Sequence, residues 1–172
     1  MLNLLYHYIT SPKKTLTYHT AINPASATLL VLSLVSVSYA IHTDASLFIL
    51  STLLSFIGLT LLLVITSLVW DFTAQLLHCQ AKSLTLFKWL GLSLLPTLLA
   101  SPLYLLTPIK HPYGLISLLA SLLPIATACL QIITIQTLYE ITLKKALAIF
   151  LIPFLLVPTS LILVIFLLGF VL

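Results

Sequence analysis

Trp70–Pro96, WDFTAQLLHCQAKSLTLFKWLGLSLLP, is the stretch on which the fold of this chain turns. It is the longest interruption in an otherwise apolar sequence, and it lies midway along it. Two hydrophobic runs precede it, and three bodies of apolar sequence follow from its own end onward. Asp71, Gln75, His78 and Lys82 recur at steps of four, three and four, so a helix continuing past Trp70 carries all four on one face. Lys88, Trp89 and Gly91 then open the next apolar run. The stretch reads as the main polar loop of a multi-spanning membrane protein.

Composition bounds the class. A soluble domain carries about 25% charged residues; this 172-residue chain carries 6% and is 61% hydrophobic. Lipid around the exterior removes the need for charge. The net charge of +4 comes from seven lysines against Asp44, Asp71 and Glu140, with no arginine. Nucleic-acid recognition leans on arginine and on clustered basic faces. These lysines sit singly or in pairs at the ends of apolar runs, so no nucleic-acid partner is expected. Cys79 and Cys129 make no disulfide framework and are expected as free thiols, Cys129 packed within the membrane.

The expected fold is an all-α integral membrane bundle of five transmembrane helices in a single domain, 1–172. The spans fall at about 24–41, 46–69, 87–106, 114–139 and 145–171, the second running on toward His78. Each approaches or exceeds the ~20 apolar residues that cross a ~30 Å hydrocarbon core, and helix is the one single segment that closes its own backbone hydrogen bonds. Asn23-Pro24 suits a helix start, with Asn as cap and Pro at the first helical position. Lysines set the orientation. With the N-terminus cytoplasmic, Lys13, Lys14, Lys82, Lys88, Lys144 and Lys145 lie inside and Lys110 alone lies outside, as does the C-terminus. Lys13-Lys14, an apolar run and Ser38-Tyr39-Ala40 carry the outline of a signal peptide. The run is long for one and the next span follows after a tight turn, so a retained first span is expected. Ahead of it, Leu2, Leu5, Tyr6 and Ile9 recur at helical spacing. They predict either a short interfacial helix, with Tyr6 and Tyr8 at headgroup depth, or a frayed tail.

Small and polar residues within the spans predict where helices touch. Ser51, Ser55 and Gly58 share a face of the second span and allow close backbone approach. Ala120, Pro124, Thr127, Gln131 and Thr134 form a stripe in the fourth, with Gln131 its most polar deep member. Gln131 is either an interhelical hydrogen-bonding contact or part of a solute path. Catalytic constellations fail on geometry. Asp44 and Asp71 lie at opposite ends of one predicted helix, about 40 Å apart. His42, His111 and Asp44 fall on outer loops, where solvation is the ordinary role and no metal is expected. His78 and Cys79 are adjacent, and adjacent helical residues point apart. Glu140 and Lys144 stand four apart in the favoured order, predicting a helix-stabilising pair. No cofactor site is legible, and no enzyme is expected.

One family resemblance rests on particular residues. Leu4-Leu5-Tyr6-x-x-Ile9-x-Ser11-Pro12-Lys13, followed by Asn23-Pro24, resembles the opening of Yip-type membrane proteins (Ypt/Rab-GTPase-interacting), particularly the prokaryotic members. Leu90-Gly91-Leu92-Ser93-Leu94-Leu95-Pro96 resembles that family's glycine-to-proline segment. Leu138–Ile152, LYEITLKKALAIFLI, resembles its entry to the last span. The Asp-Leu-Tyr-Gly-Pro element of eukaryotic members has no counterpart here, so Rab binding does not carry over. The resemblance implies a polytopic protein working non-catalytically through protein or lipid interactions, in membrane organisation or trafficking. Its location would be the inner membrane of a prokaryotic cell, or else the Golgi or endoplasmic reticulum. The alternative class is a transporter or channel component using the Gln131 stripe. Expected partners are the lipid bilayer and a membrane or cytoplasmic protein, with Asp71, Gln75, His78 and Lys82 as the candidate cytoplasmic contact surface.

Overall fold

A computed structural model of the chain describes residues 2–18, 24–41, 46–100, 102–103 and 115–155. The connections carrying His42, Asp44, Lys110 and His111 lie outside the described residues, as does the last expected span beyond Leu155. Among the described residues the structure is helical, with no strand. Helices α1 (Leu2–Thr10) and α2 (Pro12–Tyr18) lead into α3 (Ala25–Ala40) and α4 (Phe48–Leu76). Then come α5 (Ser83–Leu90), a 3₁₀ segment (Leu92–Leu99), α6 (Leu115–Leu138) and α7 (143–155). Pro24 stands just before α3 rather than in its first turn, its carbonyl accepting the Thr28 N–H at 2.9 Å.

Two of these helices are long and apolar enough to cross a membrane, Phe48–Leu76 and Leu118–Leu138. The five-span pattern therefore appears only in part, with Ala25–Ala40 and Ser83–Leu99 as shorter apolar segments. The third expected span is broken at Gly91. Pro96 has no N–H to donate and its ring clashes with the preceding turn of an α-helix; the backbone there winds as 3₁₀ instead.

α4 and α6 end alike. His78 and Glu140 adopt left-handed backbone, φ 64° and 54°. Cys79 N–H reaches the Ala74 carbonyl at 3.0 Å and His78 N–H the Gln75 carbonyl at 2.9 Å. Ile141 to Gln136 (3.1 Å) and Glu140 to Thr137 (3.4 Å) repeat the pattern. Both are Schellman closures that satisfy a helix's last carbonyls, built without the usual glycine. Glu140 thus stands outside any helix and forms no ion pair with Lys144, contrary to the helical spacing of the two.

Two apolar clusters hold the bundle together. Leu63, Trp70 and Ala74 of α4 meet Leu86 and Leu90 of α5, Ile135 of α6, and Ala146 and Ile149 of α7. Trp70 lies tilted against Phe150, ring centroids 5.2 Å apart. In the second cluster, Tyr8 and Leu16 join Val31 and Val35 of α3 to Trp89 and Leu92. The close approach expected at Gly58 is absent, for a methyl there would meet open space. It occurs at Gly91 instead, where an added Cβ would collide with the Thr28 methyl and lie 3.0 Å from Thr28 Cβ and Oγ1.

Candidate functional site

The end of the bundle around Asp71 is its most polar construction. Asp71 sits on the last turns of α4 and, at 3% exposure, is turned inward. Its Oδ2 accepts from Gln75 Nε2 at 2.9 Å, one turn on along the same helix. Its Oδ1 accepts the backbone N–H of Lys82 at 2.7 Å, which fixes the Leu77–Lys82 loop against the helix it has just left. Oδ1 also accepts the hydroxyl of Tyr139, the residue that closes α6. All three partners donate, as a carboxyl acting purely as acceptor requires.

Lys82 completes the latch. Its Nζ donates to the Leu138 carbonyl at 2.8 Å, placing a cation on the last turn of α6, where the helix dipole favours one. α4 is therefore tied to the end of α6 twice, directly by Tyr139 and through Lys82 of the loop. Of the four residues expected to form an outward polar face, Asp71 is buried, and Gln75 and Lys82 spend hydrogen bonds inside the fold. His78 is exposed, and Gln80, Ala81, Leu84 and Thr85 stand exposed beside it. Phe72, Gln75 and Leu76 are exposed as well, and together with those residues they make the outward surface of this segment.

Tyr8 was not singled out as a core residue by its sequence position, and it is fully buried. Its ring stacks on Trp89 with centroids 6.0 Å apart, and its oxygen lies 2.6 Å from Thr134 Oγ1. Thr134 donates its own proton to the Leu130 carbonyl at 2.8 Å, so Tyr8 is the donor in the pair. Burial pushes the Tyr8 phenol above its ordinary value. Tyr6, by contrast, stands exposed. Gln131 is half-buried, and on its stripe the hydrogen bond to another helix comes from Thr134. Ala120 and Thr127 of that stripe are buried, while Pro124 is exposed.

Side-chain hydroxyls elsewhere bond the carbonyl of the preceding turn: Ser36 to Leu32, Thr60 to Phe56, Thr66 to Leu62 and Thr127 to Leu123. No buried side-chain N or O among the described residues lacks a partner. Each such bond occupies a hydroxyl within its own helix. Cys79 is half-buried and Cys129 exposed, so the expected packing role of Cys129 is not what the fold gives it; both thiols are free. The described residues contain no group of histidine, cysteine or acid side chains arranged to hold a metal. No family model, curated protein or solved structure matches this chain.

Proposed function

We propose that the chain is a multi-pass membrane protein acting non-catalytically, through contacts made at its lysine-rich end. The observation that carries this reading is α4. Ile49, Leu53, Ile57, Leu61, Leu62, Ile65 and Leu68 all stand exposed along its 29 residues. Water opposes such a surface by about 25 cal/mol per Å², and contiguous apolar area on this scale marks an interaction with lipid or protein.

Helix directions support repeated crossing. The Tyr139–Asp71 and Lys82–Leu138 bonds bring together the end of α4, the start of α5 and the end of α6. Thr28 Oγ1 donates to the Lys88 carbonyl, adding the start of α3. α7 begins at the same end, three residues after Tyr139 and Glu140 close α6. The proposed topology has five crossings, the N-terminus cytoplasmic and the C-terminus outside, following the lysine asymmetry. It is also the topology that the Yip-type resemblance implies. On it we place the role in membrane organisation or trafficking, by protein or lipid contact, in a prokaryotic inner membrane or the Golgi or endoplasmic reticulum.

Sidedness of thiol labelling tests this. In a background lacking Cys79 and Cys129, single cysteines at Gln80 and Thr142 should label from one side and one at Ile109 from the other. Labelling of all three from one side overturns the five-span topology. Release of the protein by alkaline carbonate overturns the membrane reading altogether.

A further inference from the structure

We propose that the lysine-rich end binds anionic phospholipid headgroups, an inference that rests on the membrane placement above. Lys82 precedes α5 and Lys88 lies in its last turn, and Lys144 and Lys145 open α7. Tyr8, held between Trp89 and Thr134, draws α1 to the same end, and Leu16 of α2 joins the cluster around Trp89. Lys13 and Lys14, exposed at the start of α2, add their charge there.

Of the acids among the described residues, Asp71 and Glu140, neither pairs with Lys144 or Lys145. Asp71 is buried and takes its donors from the fold itself. Glu140 is exposed in left-handed backbone and pairs with neither Lys144 nor Lys145. Lys144 and Lys145 are exposed in the first turn of α7, where the positive end of the helix dipole opposes a cation. An external anion relieves that conflict. The neighbouring surface decides which anion. Leu76, Leu84 and Leu143 stand exposed at 63%, 68% and 52% beside the lysines. A ligand with a negative head next to apolar chains fits both features, and a phospholipid has that form.

The full chain, reconstituted in phosphatidylcholine vesicles with trace dansyl-phosphatidylserine or dansyl-phosphatidylcholine, supplies the test. Trp70 and Trp89 lie at this end and act as energy donors. At low salt the serine lipid should be enriched around the protein, by about fivefold if one lysine dominates, and enrichment should fall as ionic strength rises. Lys144→Gln with Lys145→Gln should at least halve it, while Lys144→Arg with Lys145→Arg should retain it. Equal transfer to both lipids by the parent overturns the proposal, as does undiminished enrichment in the glutamine variant. Displacement of the serine lipid by millimolar inorganic phosphate at constant ionic strength would reassign the site to a free anion and also overturn it. Carbonate release of the parent from the vesicles would instead sink the membrane reading, which keeps the two failures apart.

Discussion

Gly91 and Thr28 meet where α3 crosses the break between α5 and the 3₁₀ segment, and the hydroxyl of Thr28 is held there by the Lys88 carbonyl. A methyl at position 91 has nowhere to go unless Thr28 moves. Gly91→Ala should therefore destabilise the protein by about 1–3 kcal/mol, read as a lower thermal midpoint in micelles, as overpacking does. The sign is diagnostic, because an alanine without a neighbour would be favourable in helical backbone. Thr28→Ser keeps the hydroxyl and removes the obstructing methyl, so the double variant should recover part of the loss. Tyr8 gives a pH test. Burial raises its phenol above the ordinary 10.0, so the folded chain keeps a proton that the unfolded chain releases. The stability this represents is complete below about pH 10 and is lost as pH rises further. The difference between parent and Tyr8→Phe, followed by circular dichroism during denaturation, should be constant at neutral pH and shrink above pH 10. A difference that stays constant to pH 12 would place the Tyr8 hydroxyl in water. Neither Tyr8 nor Asp71 was legible as a core group. Their partners lie 126 and 68 residues away in sequence, and the spacing of Leu2, Leu5, Tyr6 and Ile9 favours a different face of α1.

Helix ends carry the clearest departures from what local sequence suggests. A hydrophobic run announces a helix, and the five apolar bodies of this sequence did coincide with helical segments wherever residues are described. Their ends were hidden, because His78 and Glu140 occupy the position where glycine ordinarily signals a Schellman closure. An L-residue pays for left-handed backbone with about 1–2 kcal/mol. His78→Gly and Glu140→Gly should each stabilise the protein, by about 0.5–1 kcal/mol after the greater freedom of glycine in the unfolded chain is counted. His78→Val should do the opposite, since a β-branched side chain resists positive φ. Chemical denaturation in mixed micelles measures all three. If the valine variant matches the parent, the left-handed closure of α4 is not part of the folded state. The broken third apolar segment was half visible in the same way: Pro96 announced a disturbance, but its spread into a 3₁₀ run starting after Gly91 depends on how α3 packs there.

At the scale of the molecule, the all-helical, apolar character was readable because hydrophobic runs of this length favour helix over whole segments. The latch between α4 and α6 was not, since it depends on one tyrosine and one lysine arriving together from separate helices. The 3₁₀ run has a further effect on the molecule as a whole. Its eight residues advance about 2.0 Å each, roughly 16 Å in all, where α-helical winding would give about 12 Å. The winding thus lengthens this part of the third apolar segment by about 4 Å without adding a residue. On the proposed topology, this segment reaches further across the bilayer by stretching its pitch. Pro96→Ala restores the missing donor and lets the run relax to α-helix, shortening it and creating hydrophobic mismatch in a bilayer of ordinary thickness. The variant should then be most stable in lipids with shorter acyl chains than those that suit the parent, as a series of thermal midpoints across chain lengths would record. An unchanged optimum would mean the winding of this segment has no bearing on the fit. Membrane thickness would in this way be sensed through a proline, which changes the length of that segment without changing its residue count.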